Sequence, residues 1–99
     1  MQKVRLNEKY ISTIKMLAEK YFDTNEVRIF GSRADLFKKG GDIDIFIHTN
    51  KSENILKSKI AFLRDFEILL GEQKVDLVIQ SGNSIKKIYQ IAEKEGILI

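Results

Sequence analysis

Residues 42–48, DIDIFIH, alternate strictly between two kinds of side chain, and that period of two belongs to a β-strand. Ile43, Ile45 and Ile47 fall on one face, while Asp42, Asp44, Phe46 and His48 fall on the other. The isoleucine face requires a core. The opposite face carries two like charges about 6.5 Å apart. At an effective dielectric near 20 these repel by roughly 2–3 kcal/mol, a substantial part of what a small domain has to hold it together. A strand end protruding into water, or a charged edge that resists aggregation, explains such a pair without any chemistry. A cation site explains it with chemistry.

The rest of the chain is organised around this strand. Asn7 can cap a helix in which Tyr10, Ile11, Ile14, Leu17, Ala18 and Tyr21 recur at helical spacing. VRIF at 27–30 reads as a short strand that ends at Gly31, SRADLF as one or two helical turns, and KKGG as their stop. A long helix is expected over about 52–70, with Leu56, Ile60, Leu63, Phe66 and Leu70 along its inward stripe and Gly71 after it. KVDLVIQ is a third strand, SGNS a turn, and Ser84 a cap for a last helix with Ile85, Ile88 and Ala92 inward. Gly96 then stops that helix as a C′ residue, and ILI packs on the sheet or extends it. The order α-β-α-β-α-β-α gives an α/β (α+β) class: a small mixed sheet of three or four strands with flanking helices. The connection from Gly31 to Gly41 is barely long enough for a parallel crossover, which favours antiparallel pairing of the first two strands.

Bulk properties narrow the function. At 99 residues the chain is expected to form a single domain over 1–99, with no separate substrate domain. Lys+Arg 17 against Asp+Glu 14 leaves a net charge of +3, which suits phosphate-bearing ligands but lacks the dense positive face of a nucleic-acid binder. Direct nucleic-acid binding is therefore not expected. Cysteine is absent, which excludes disulfides, thiolate metal sites and cysteine nucleophiles. MQKVRLNEKY lacks the apolar core of a signal peptide and no apolar run reaches membrane-spanning length, so a cytoplasmic location without a membrane partner is expected.

A third acid alters the reading of the first two. Asp76 lies in VDLVI, the most apolar strand of the chain, where a carboxylate is expensive to bury alone. It can reach solvent, or pair with Lys74 or Lys86. If its strand neighbours residues 42–48, it can instead join Asp42 and Asp44. Three carboxylates around one point suit Mg²⁺, which completes its octahedron with water and substrate phosphates. Two such ions would serve both an attacking hydroxyl and a leaving pyrophosphate. Gly31 permits a sharp turn, and Ser32 then opens a helix whose free N–H groups favour an anion. Arg33, with Lys38 and Lys39, could neutralise terminal phosphates. His48, alone on the far part of the acid face, reads as structural. Tyr10, Tyr21, Phe22, Phe62 and Phe66 read as core or interface residues, and the lysine pairs as solvated helix faces.

Gly31-Ser32, nine residues, Asp42-Ile43-Asp44 and a later Asp76 together resemble the signature of nucleotidyltransferases of the DNA polymerase β superfamily. GSRA, the chain length and VDLV look most like the minimal nucleotidyltransferases, antitoxin-type partners of HEPN-domain toxins. The resemblance covers roughly residues 8–99. It departs from the family pattern in its nine-residue spacer, in Gly41 where a small hydroxyl residue is common, and in Leu36 and Phe37 where a glycine is common. The resemblance implies a Mg²⁺-dependent enzyme with two ions, which moves AMP from ATP to a hydroxyl, a tyrosine of the partner toxin. Asp42 and Asp44 would bind both ions, and Asp76 would bind one and help deprotonate the acceptor. Gly31 and Ser32 would hold the β- and γ-phosphates. Homo-oligomers or hetero-oligomers with the toxin are compatible with it. The alternative is an antitoxin that neutralises its toxin by binding alone.

Overall fold

The structure is a computed structural model that describes residues 6–30, 42–82 and 86–99, the side chain of Glu93 excepted. Helix α1 (Glu8–Phe22) begins as expected, with the Tyr10 amide donating to Asn7 Oδ1 at 2.9 Å. That bond satisfies one of the amides a helix start leaves without an intrahelical acceptor. The helix ends at Asp23, which adopts the left-handed conformation (φ 50°) and donates its N–H to the Glu19 carbonyl. Four strands follow in the described chain: β1 (Val27–Phe30), β2 (Ile43–Thr49), β3 (Val75–Ser81) and the short β4 (Ile97–Leu98). Helix α2 (Ile55–Leu70) connects β2 to β3, and α3 (Lys87–Glu95) precedes β4.

The sheet order is β3-β2-β1-β4. β1 runs antiparallel to both β2 and β4, while β2 and β3 are parallel across the α2 crossover. The sheet is thus mixed, and the short Gly31–Gly41 connection does join an antiparallel pair. The C-terminal ILI extends the sheet through β4, with Ile99 buried against the core.

The alternation in β2 decides what lies on each face. Ile43, Ile45 and Ile47 are wholly buried with Val27, Ile29 and Leu77 beneath α1 and α2. Each such side chain contributes about 1.5–3 kcal/mol of hydrophobic stabilisation. On the opposite face Phe46 is buried by Tyr89 and Ala92 of α3, with Phe30 and Val78 beside them.

Four expectations are corrected. Helix α2 starts at Ile55 rather than near Ser52, because Asn54 just before it adopts the left-handed conformation (φ 57°), which a right-handed helix cannot include. The inward face of α2 is rotated from the expected stripe. Ser58, Phe62 and Phe66 are buried, whereas Leu56 and Ile60 are 70% and 59% exposed. The two phenylalanines bury more area than any aliphatic alternative, and they lock to each other, to Phe22 and to Tyr10. In α3, likewise, Tyr89 displaces Ile88 from the sheet, because its ring packs on Phe46 while its hydroxyl reaches the Ile79 carbonyl at 3.0 Å. Gly96 does follow α3, but at φ −75° rather than in the left-handed region. Close approach explains the glycine: a Cβ there would stand 2.3 Å from the Ala92 carbonyl oxygen. The short helix expected in SRADLF, and Ser84 and Ile85, lie outside the described residues.

Candidate active site

Parallel register places Asp44 directly opposite Asp76, followed by Phe46 opposite Val78 and His48 opposite Gln80. In-register residues of neighbouring strands project to the same face, so the acid of β3 stands beside those of β2 on the α3 side of the sheet. Asp42 immediately precedes β2 and lies two residues from Asp44. The acid row is wet where the next row is dry. α3 covers Phe46 and Val78, whereas Asp44 is half-buried, Asp42 is about half exposed and Asp76 is exposed.

Partial burial and crowding together have an electrostatic consequence. Burial, then the negative charge of Asp76, then that of Asp42, push the Asp44 carboxyl above the usual carboxylate range. A cluster of like charges that resists ionisation is one that a cation stabilises. As the side chains stand, Lys74 Nζ lies 3.7 Å from Asp42 Oδ2, and among the described residues no three His, Asp or Glu side chains close on a common point. Sequence reasoning offered Lys74 to Asp76; the structure gives it to Asp42. The chemistry of the donor set, oxygen-only and excess in negative charge, fits Mg²⁺.

Gly31, Ser32 and Arg33 lie outside the described residues, as do Lys38 and Lys39. The residue before them, Phe30, pairs with Asp44 in the antiparallel register of β1 and β2. The chain therefore leaves β1 from the acids' own row. His48 belongs elsewhere. It lies two rows along the strand from Asp44, about 13 Å by strand rise, with Nδ1 2.5 Å from Glu26 Oε2 and Nε2 2.8 Å from the Gly82 carbonyl. Its ring ties β2 to the chain before β1 and to the turn after β3, the structural part expected of it.

What sequence reasoning missed is the surface around Asp76. Leu56, misplaced into the core, lines a groove with Lys59, Leu77, Lys86, Tyr89 and Asp76 itself. A signal existed: Leu56 and Ile60 flank the more demanding Phe62 and Phe66, and one helix cannot turn both sets inward.

A mixed four-stranded sheet, with α1 and α2 on one face, α3 on the other and carboxylates from two adjoining strands in one row, is the layout of a nucleotidyltransferase fold. The family comparison agrees. The family model for the nucleotidyltransferase domain matches residues 11–99, and the chain belongs to that family. A comparison with curated proteins returned no match. Among the described residues no helix is long and apolar enough to cross a membrane.

Proposed function

We propose that the protein is a Mg²⁺-dependent minimal nucleotidyltransferase that transfers AMP from ATP to a hydroxyl of a partner protein, a tyrosine of a cytoplasmic HEPN-type toxin, and so acts as its antitoxin. The observation that carries this reading is the shared row of Asp44 and Asp76 beside Asp42, with Asp44 held above its usual ionisation range by its partial burial and then by the charges of Asp76 and Asp42. Asp42, Asp44 and Asp76 are the residues that would hold magnesium, which when bound offsets the charge of the triphosphate and of the leaving pyrophosphate. Gly31 and Ser32 bind the β- and γ-phosphates through backbone N–H groups and the hydroxyl, and Arg33 balances their charge. The acceptor oxygen attacks the α-phosphorus. A new O–P bond forms as the bond from that phosphorus to the bridging oxygen breaks, and the electron pair leaves with pyrophosphate. Asp76, the most exposed of the three acids, takes the hydroxyl proton and passes it to water.

The test is the intact mass of the co-produced partner after incubation with ATP and Mg²⁺. The expected result is a gain of one or more AMP groups, lost in Asp42→Asn and Asp44→Asn. A partner that stays unmodified yet tightly bound would replace transfer with neutralisation by contact.

A further inference from the structure

β3 is an outer strand, and its register with β2 determines which backbone groups it offers outward. The Ile43 amide donates to the Lys74 carbonyl at 3.0 Å, and the Gly82 amide donates to the Thr49 carbonyl at 2.7 Å. Even-numbered residues of this segment therefore face β2. The alternation of a parallel ladder turns the N–H and C=O groups of Val75, Leu77, Ile79 and Ser81 to the other side. The Tyr89 hydroxyl occupies the Ile79 carbonyl. Among the described residues no strand pairs with Val75 and Leu77, the two residues that flank Asp76.

A groove of about 530 Å³ runs along this edge, between the start of α2 and the start of α3. Leu56 and Leu77 line its α2 side and Tyr89 its α3 side, while Lys59 and Lys86 place a cation on each wall. Asp76 belongs to both the acid row and the groove. An open strand edge between two helices satisfies what strand addition needs: backbone partners in the middle and side-chain pockets on both sides.

We propose that this groove takes an extended, acidic segment of the acceptor protein as an added strand on β3, with the acceptor hydroxyl beside Asp76. The hydroxyl's role rests on the transfer reading above; the docking mode rests on the edge and the groove. Side chains of an added strand alternate, so a residue facing the Asp76 side has neighbours facing Leu56 on the α2 side. The segment therefore carries an apolar residue immediately before and after its acceptor. An acid two positions from the acceptor returns to the same side and meets Lys86. A second copy of this chain fits the edge poorly. Self-pairing would bring Lys59 and Lys86 of both copies together, whereas an acidic strand complements them.

The test is fluorescence anisotropy on the full chain, without nucleotide or Mg²⁺, using a short labelled peptide that contains Val-Tyr-Val-Glu. Saturable binding is expected. It should weaken at least tenfold when the peptide amides that face β3 are N-methylated, a change that leaves the protein untouched. Lys86→Glu, at an exposed position, should weaken it by about tenfold, and replacing the peptide glutamate by lysine should restore it. No saturable binding, or equal binding of the N-methylated peptide, overturns the proposal. So does sedimentation showing a dimer that the peptide cannot dissociate. Because no nucleotide is present, failure of AMP transfer leaves this result standing, and transfer to a HEPN partner without peptide binding removes the docking mode alone.

Discussion

Asp44→Asn should make the protein more stable. The variant keeps the shape of the side chain and removes one charge from a row of three. By strand geometry Asp44 lies about 4.8 Å from its cross-strand neighbour Asp76 and about 6.6 Å from Asp42 along the chain. At a dielectric of 80 the two repulsions total about 1.5 kcal/mol, and at 40 about 3 kcal/mol. All three groups touch water, and a Debye length of about 8 Å in physiological salt removes roughly half of this. About 1 kcal/mol of relief remains, which corresponds to a rise in Tm of about 4–8 °C for a domain of this size.

The pH dependence carries a definite sign. Because the Asp44 carboxyl titrates higher in the fold than its ordinary value of 3.8, its ionised form is penalised by folding at neutral pH. The penalty lifts as pH falls through the folded value and is gone below the unfolded one. Thermal melts of wild type and variant should therefore differ most at pH 7 and low salt and converge towards pH 3–4. Millimolar Mg²⁺ should raise the Tm of the wild type and much less that of the variant, since a ligand stabilises only the state that binds it. A variant no more stable than the wild type at pH 7 and low salt would refute the electrostatic account of the acid row.

Four further outcomes test the scaffold. Asn7→Ala removes the acceptor for the Tyr10 amide and should cost about 1 kcal/mol in urea unfolding, with an unchanged m-value. Gly96→Ala should cost about 1–3 kcal/mol although its φ suits alanine, because the new Cβ would meet the Ala92 carbonyl at 2.3 Å and Arg28 Cβ at 3.1 Å. Its calorimetric Tm would be lower than that of wild type. Phe62→Ala empties the wholly buried centre of the α2 face and should cost about 3–5 kcal/mol, read as a large loss of denaturation midpoint. Leu56→Ala, at an exposed position of the same helix, should move that midpoint by less than about 0.5 kcal/mol.

Period-two alternation in residues 42–48 was enough to assign the faces of β2, since shifting every side chain by one would put isoleucines in water and aspartates in the core. The same alternation, carried to Asp76, made a shared acid row a legible possibility. Asn7, Gly71 and Gly96 marked helix boundaries by local chemistry, and the short span from Gly31 to Gly41 favoured antiparallel pairing of the first two strands. Such features are written in a few adjacent residues, so sequence alone determines them.

The orientation of α2 and α3 was decided elsewhere. Leu56 and Phe62 both satisfy a helical period, and only competition for the sheet surface shows that the phenylalanines win and the leucine is left outside. Tyr89 prevails over Ile88 for a similar reason: its ring finds Phe46 and its hydroxyl finds a carbonyl on β3, two partners remote in sequence. The parallel pairing of β2 with β3, which brings Asp76 opposite Asp44 and, among the described residues, leaves Val75 and Leu77 without a strand partner on the far edge, is likewise a long-range fact. Local propensity sets which residues alternate. Which of them meet depends on the packing of segments that the chain itself keeps some thirty residues apart.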